Sequence, residues 1–274
     1  MNVSIAVCTY NGGRFLKDQL KSIVNQTVAP NEIVICDDGS SDDTWLILQQ
    51  FKDACPDINI QLTRNASTLK TIKNFEKAIR SCSGNFIFLC DQDDIWEPDK
   101  IERMVYFAKK TKALFLFTNG NLIDENNHLL NRDLWGSLNF TSDKQRSWAR
   151  NINAVIDLLN FRNYATGATG MVKRELLGSA LPLNAPFGFY HDAWFALHAA
   201  AKNRLRFMDE KLIRYRIHAA QQVGITPHGK NADAAFSQPY LTYETFLKQI
   251  LRQYPLSGAR YLFSALLTKI KARL

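Results

Sequence analysis

Apolar and polar positions fall into blocks of two lengths along the first half of the chain. Short apolar runs at Val3–Thr9, Glu32–Cys36, Ile58–Leu62, Phe86–Cys90 and Ala113–Phe117 have the length and composition of buried strands. Between them, apolar residues recur three and four apart. Phe15–Gln26 does so through Phe15, Leu16, Leu20, Ile23 and Val24, and Thr44–Phe51, Ile72–Ile79 and Lys100–Lys109 are similar. This spacing predicts helices, with Ser41 or Asp42 as the N-cap of the second. Alternating strands and helices predict an α/β fold of βαβ units, with a mostly parallel central sheet flanked by helices. Internal repeats and low-complexity segments are absent from the sequence.

The ends of these strands carry the candidate chemistry. The first ends in Thr9-Tyr10-Asn11-Gly12-Gly13, the second in Asp37-Asp38-Gly39-Ser40 and the fourth in Asp91-Gln92-Asp93-Asp94. In a parallel sheet these carboxyl ends share one edge, outside which open α/β sheets bind ligands. Each of the first two clusters alone is a good turn former. The third is different, because three carboxylates at the end of a buried strand repel one another and gain nothing from packing. A hard divalent cation, Mg²⁺ or Mn²⁺, relieves that repulsion and commonly bridges one or two carboxylates to a substrate's phosphates. Neither G-x-G-x-x-G after the first strand nor G-x-x-x-x-G-K-[ST] occurs. Phosphates would therefore be neutralised by the metal and by basic side chains; Arg64, Lys70 and Lys73 are near enough in sequence, though each also reads as a solvated surface charge. Asp37 or Asp38 could accept from a base or a sugar hydroxyl.

Composition narrows the class. The chain has 274 residues, 46% hydrophobic and 22% charged, enough for one large domain with an appendage. No secretory signal is apparent at the start, and no uncharged apolar run is long enough to span a bilayer. The five cysteines are odd in number and lack metal-ligand spacing, which suits buried small hydrophobes in a reducing cytoplasm. A net charge of +8 points to an anionic partner: nucleotide, nucleic acid or acidic membrane.

Further motifs extend the pattern: Val7-Cys8-Thr9-Tyr10-Asn11-Gly12, Asp37-Asp38-Gly39-Ser40-Ser41-Asp42, Asn74-Phe75, Asp91-Gln92-Asp93-Asp94-Ile95-Trp96, Thr166-Gly167-Ala168-Thr169, His191-Asp192-Ala193-Trp194 and Tyr215-Arg216-Ile217-His218. In this order, over roughly residues 3–225, the chain resembles the family 2 inverting glycosyltransferases of GT-A fold. Within that family it looks most like the bacterial rhamnosyltransferases of surface-polysaccharide synthesis. The resemblance implies that Thr9, Tyr10 and Asn11 line the base pocket and that Asp37 and Asp38 contact base and ribose. It implies that Asp91 and Asp93 form the D-x-D element, with Asp93 ligating the metal on the donor diphosphate. Asp192 becomes the general base and His218 a group near the metal or diphosphate; Trp96 and Trp194 could shape sugar subsites, though a Trp is as often simply core. Without the resemblance, Asp192 reads equally as a first-turn helix acid and His218 as a partly buried histidine. The chain departs from its relatives at Lys70, where they have Gly, and at Thr118-Asn119-Gly120-Asn121, where an Asp is common. The implied partners are a nucleotide-sugar donor, dTDP-rhamnose first and UDP-sugars next, and a glycan or lipid-linked saccharide acceptor, with no nucleic acid.

Beyond residue 226 the character changes. Pro227–Asn231 reads as a linker, and Phe236–Tyr254 and Gly258–Leu274 as helices. After Glu244 there are six basic and no acidic residues, with an apolar stripe through Leu262, Phe263, Leu266 and Ile270. The expected organisation is a catalytic domain at 1–226 and a basic amphipathic helical extension at 227–274. That extension either lies on the anionic inner face of the cell membrane or packs on the catalytic domain. Other classes fit less well. A haloacid-dehalogenase-type phosphatase needs its nucleophilic Asp after the first strand, where Thr9-Tyr10-Asn11 stands. A nucleotidyltransferase needs a Gly-rich basic loop, and a sugar-binding module leaves Asp91, Asp93 and Asp192 without a purpose.

Overall fold

The first strand, β1 (Val3–Thr9), is buried along its whole length, and the sheet is built outward from it. On one side it pairs in parallel with β2 (Glu32–Asp37), which pairs in parallel with β3 (Asn59–Arg64). On the other side it pairs in parallel with β4 (Phe86–Cys90). Helices α1 (Leu16–Val24), α2 (Thr44–Ala54) and α3 (Lys70–Ser81) make the crossovers. The computed structural model describes residues 2–186, 188–221, 224–226, 229–231 and 250.

Beyond β4 the direction changes. After the two-residue β5 (Ile95–Trp96) and α4 (Lys100–Thr111) comes the long β6 (Phe115–Ile123). It is followed by β7 (Leu129–Asp133), α5 (Leu134–Ser137), α6 (Ser142–Trp148) and α7 (Asn151–Leu159), then β8 (Met171–Lys173), α8 (Arg174–Ala180), α9 (His191–Ala201) and β9 (Leu205–Arg216). The sheet order is β3-β2-β1-β4-β8-β6-β9-β5, with β7 on the flank of β6. β8 runs antiparallel to both β4 and β6, whereas β6 and β9 pair in parallel. The result is the expected GT-A-type α/β sheet, mixed but mostly parallel and flanked by helices. The predicted strand Ala113–Phe117 continues through the polar Thr118–Asn121 by way of a bulge. Gly120 permits this, because a Cβ there would lie 2.6 Å from Ile213 Cγ2. Asn119 Oδ1 accepts from the Gly120 and Trp135 amides, so a segment that reads as a turn is satisfied inside the sheet.

Gly229–Asn231, read as linker, pairs antiparallel with Gly224–Thr226. The extension expected at 227–274 otherwise lies outside the described residues, apart from Ile250. No helix among the described residues is long and apolar enough to cross a membrane. Cys8, Cys36 and Cys90 are buried in strands, Cys82 is buried at the end of α3, and Cys55 is half-buried.

One buried carboxylate ties the lower end of the sheet together. Glu32, 2% exposed, accepts from Ser4 Oγ, from the Ser83 amide and hydroxyl, and from the Gly84 amide. Burial alone would raise its pKa, but these hydrogen bonds outweigh it and hold the carboxyl below the ordinary range. Its stabilisation is therefore present above the unfolded-state pKa and lost as pH falls through the lower folded value. Glu32→Gln is expected to cost about 1–3 kcal/mol at pH 7. The difference from the parent in chemical denaturation should vanish in strong acid; a difference independent of pH would assign the loss to packing.

Candidate active site

The loops after β1, β2 and β4 meet at the carboxyl edge of the sheet, and side chains lock them together. Gln92 lies across the β1 loop, accepting from the Tyr10 amide at 2.7 Å and donating to the Tyr10 carbonyl at 3.0 Å. Gly12 leaves room for it, since a Cβ there would come within 2.3 Å of the Gln92 amide. Asn11, at φ 49°, accepts from the Ser41 amide, and its own amide donates to Ser40 Oγ. The N-cap of α2 is Asp43 rather than the anticipated Ser41 or Asp42, because the helix starts at Thr44; Asp42 instead accepts from the Thr44 amide at 3.0 Å and the Gly13 amide at 3.0 Å, tying the β1 loop to the helix.

A cavity of 720 Å³ opens over this edge. Thr9, Tyr10, Asn11, Asp38 and Asn74 line one part, and Asp91, Gln92, Asp93 and His218 another. His191, Asp192 and Gly167 line a third part. Leu134, Leu138, Phe161, Phe189 and Tyr190 add an apolar wall from segments that the sequence pattern left unassigned. Asp37 and Lys70 are not among the lining residues. Asp37 is fully buried beneath the floor, accepting from Thr9 Oγ1, the Ser40 amide and Ser40 Oγ, with Arg64 Nε 3.6 Å away. Lys70 adopts φ 62°, the left-handed conformation that glycine takes most readily. Its amide donates to Asp38 Oδ2 at 2.8 Å. Asp38 also accepts from Thr68 Oγ1, Asn65 Nδ2 and the Leu69 amide, so all four positions of its carboxylate are engaged and the start of α3 is held against β2.

The three carboxylates after β4 take different places. Asp91 and Asp93 face the cavity, whereas Asp94 is buried behind them. Asp94 Oδ1 accepts from the Arg216 amide at 2.9 Å, and Oδ2 has no partner among the described residues. Burial, then Asp93 and Asp91, push its carboxyl strongly toward the protonated form. Asp93 Oδ2 lies 2.9 Å from His218 Nε2. Burial first, then the Asp93 and Asp192 carboxylates, raise Asp91 to about 7, against the pull of Lys100. Arg216, itself fully buried, donates through Nε to the Asp93 carbonyl and through Nη1 to that of Asp124, fixing the acidic turn onto β9.

Asp192 stands in the first turn of α9, the helix position anticipated for it. The Gly167 amide donates to its Oδ2 at 3.2 Å. Burial raises its pKa to about 6, although the Ala193 and Gly167 amides work in the opposite direction. Beneath both acidic elements lies Lys100, which is fully buried and absent from the sequence-based expectations. Its Nζ donates to the Ala168 carbonyl at 2.8 Å and sits 4.1 Å from the Trp96 ring centre. Burial lowers its pKa to about 7, while the neighbouring Cys90, Asp94 and Asp91 side chains oppose the fall. Lys100 thus links the acidic turn to the turn that orients Asp192. In sequence it is an ordinary charged residue at the start of a helix, so nothing marked it. Of the two readings open for Trp96 and Trp194, the structure gives core: Trp194 Nε1 donates to the Ala180 carbonyl and Trp96 packs on Phe88.

Among the described residues no three His, Cys, Asp or Glu side chains form a ready-made metal cage. The donor set present, two cavity-facing carboxylates with mutual repulsion, fits a hard cation whose remaining ligands come from substrate phosphates and water.

Residues 4–163 match the model of the family described as Glycosyl transferase family 2. The chain belongs to that family. It is 23% identical over 221 residues to an uncharacterized glycosyltransferase of Nostoc sp., covering 80% of this chain and 66% of that protein. It is 32% identical over 124 residues to the Escherichia coli UDP-Glc:alpha-D-GlcNAc-diphosphoundecaprenol beta-1,3-glucosyltransferase WfgD, covering 45% of this chain and 47% of that one. The chain thus spans between about half and two thirds of the length of these relatives. The same fold occurs in Staphylococcus aureus TarS 1-349 in complex with UDP-GlcNAc, at TM-score 0.61 and 16% identity over 92% of this chain and 66% of that one. It also occurs in the mannosyltransferase PcManGT of Pyrobaculum calidifontis with GDP-Man and Mn²⁺, at TM-score 0.55 and 17% identity over 80% and 58%.

Proposed function

We propose that the chain is a catalytic domain that moves a sugar, with inversion, from a nucleoside-diphosphate donor to a hydroxyl of a glycan or lipid-linked glycan. The observation that carries this is the convergence of Asp91, Asp93 and Asp192 on one cavity, close enough for the charge of Asp192 to raise the pKa of Asp91. Asp192 takes the proton of the acceptor hydroxyl as its oxygen bonds to the anomeric carbon and the bond to the diphosphate breaks. A carboxylic acid of pKa about 6 is ionised at neutral pH and basic enough for that task. Asp93 and Asp91 would hold Mg²⁺ or Mn²⁺, with His218 beside Asp93. The cation, when bound, stabilises charge on the departing diphosphate. One base and one such cation suffice, in contrast to the paired carboxylates of glycoside hydrolases.

WfgD, by its name a user of UDP-Glc, and the structures with UDP-GlcNAc or GDP-Man support a nucleotide-sugar donor here. The motif resemblance favours rhamnose from dTDP-rhamnose. A lipid-linked acceptor would suit a cytoplasmic enzyme resting on the inner face of the membrane through its basic C-terminal extension. Incubation with Mn²⁺ and, in turn, dTDP-rhamnose, UDP-glucose, UDP-GlcNAc and GDP-mannose tests the donor by nucleoside diphosphate release. At least one donor should be consumed, and chelation should stop it. Preference for a UDP-hexose would replace rhamnose, and no consumption of any donor would overturn the reaction class.

A further inference from the structure

The sequence offers Arg64, Lys70 and Lys73 as cations for a phosphate, and none of them lines the cavity. Arg64 lies beside Asp37, and Lys73 pairs with Glu76. The carboxylates that do line it are Asp38, Asp91, Asp93, Glu125 and Asp192. A nucleoside diphosphate brings further negative charge, more than a single divalent cation offsets. Among the described lining residues, a single Lys or Arg side chain is present, that of Arg14.

Arg14 stands in the turn between β1 and α1, where the Phe15 and Leu16 amides donate to the Gly12 carbonyl. Its guanidinium lies 4.9 Å from the centre of the Phe15 ring. The same ring meets His218, with centroids 4.8 Å apart, and His218 Nε2 is 2.9 Å from Asp93 Oδ2. Arg14 is therefore one aromatic ring away from the acidic corner proposed to hold the cation. Its side chain is 63% exposed, so it is within reach of a ligand in the cavity.

In the free protein Arg14 Nη1 lies 2.6 Å from Glu125 Oε2, in the turn between β6 and β7. That turn is held without this pair. Asp124 Oδ1 accepts from the Asn126 and His128 amides, Asn127 Nδ2 donates to Asp18, and Arg216 Nη1 donates to the Asp124 carbonyl. An ion pair this exposed contributes little to the fold. A guanidinium, by contrast, matches phosphate oxygens with two parallel N–H donors.

We infer that Arg14 binds the diphosphate of the donor, exchanging Glu125 for phosphate oxygens as the donor enters. This rests on the glycosyl-transfer reading above. Glu125 is then a competitor that keeps Arg14 occupied at the cavity wall until a diphosphate displaces it. The two partners of one ion pair should therefore have opposite effects on binding, which a merely structural pair would not produce.

Calorimetry with UDP and with dTDP in Mn²⁺ tests this on Arg14→Gln, Glu125→Gln and the double variant, and kinetics supply acceptor KM. Arg14→Gln should weaken nucleoside diphosphate binding by about tenfold or more, the scale of a hydrogen bond to a charged group. Glu125→Gln should tighten it by about two- to fivefold, the worth of an exposed ion pair. In the double variant the gain from Glu125→Gln should disappear, because the cation it frees is gone. Losses in both single variants overturn the assignment and make the pair structural. A gain that persists without Arg14 overturns it in favour of the general field of the cavity. Unchanged diphosphate affinity with a raised acceptor KM overturns it in favour of an anionic acceptor. Should Arg14→Gln not fold, Glu125→Gln decides alone, since tighter binding is required and no gain overturns the exchange. If the parent neither binds UDP or dTDP nor consumes a sugar nucleotide, glycosyl transfer itself fails and takes this role with it. A parent that binds them, with variants that bind equally well, removes only the role of Arg14.

Discussion

Asp192→Asn is expected to lower turnover by about 10²- to 10⁴-fold, the contribution of a positioned general base. Affinity for UDP with Mn²⁺ should stay within a few-fold, because nothing in the base's role touches the diphosphate. The substitution is nearly isosteric, and Asn can still accept from the Gly167 amide that now reaches Asp192 Oδ2 at 3.2 Å. Two pH observations separate a base from a first-turn helix acid. The parent's kcat/KM should fall as pH drops below about 6, where Asp192 becomes protonated, and residual activity of the variant should lack that limb. The stability effect has the opposite sign. A carboxyl whose folded pKa is raised contributes stability below its unfolded pKa and loses it as pH rises through the folded value. At pH 7 the ionised Asp192 is therefore a cost to the fold, and the Asn variant should melt no earlier than the parent. A variant that is less stable but retains its turnover would make Asp192 a helix residue and place the base elsewhere.

The first half of this fold was legible chiefly because three of its four strands are buried on both faces. Such strands appear as unbroken apolar runs, and β1, β2 and β4 are buried at every position. The second half hides its elements. β8 has three residues, β5 has two, and β9 mixes buried and exposed positions without regular alternation. β6 passes through Thr118-Asn119-Gly120-Asn121, whose composition signals a turn while Asn119 and Gly120 make it a bulge. The acidic turn was legible for a different reason: carboxylates at the end of an apolar run have no structural use. That logic did not separate Asp94, which faces the interior, from Asp91 and Asp93, which face the cavity. Nor could it separate Asp37, consumed by Thr9 and Ser40, from Asp38, which reaches the cavity wall. Adjacent residues on a strand end point to opposite sides, and only the packing says which side is occupied. Neither Lys100 nor Arg216, though the latter stands inside the Tyr215–His218 motif, suggested a role in the sequence, because long cationic residues are ordinarily solvated. Here burial makes them the supports of the acidic turn, and burial is a property of the assembled fold.

Asp93→Ala should remove metal-dependent nucleotide binding as well as transfer, the other large effect expected of this site. Loss of groups that merely orient a metal ligand costs 10- to 100-fold in affinity, so loss of a ligand should exceed about 100-fold. The fold should survive, because Arg216 holds the turn through the Asp93 carbonyl and the Asp94 carboxylate rather than through the Asp93 side chain. Among the described residues the side chain pairs with His218 Nε2, at 2.9 Å. That contact supplies the control. Asp93→Asn keeps a group able to pair with His218 but removes the charge that a cation needs. Both variants should therefore lose the Mn²⁺-dependent part of UDP binding in calorimetry. His218→Gln, which keeps the carboxylate, should retain most of it. If Asp93→Asn binds UDP with Mn²⁺ as the parent does, Asp93 is a hydrogen-bond partner for His218 and the cation belongs to Asp91 alone. If the His218 variant loses binding as completely as Asp93→Ala, the histidine is a ligand in its own right.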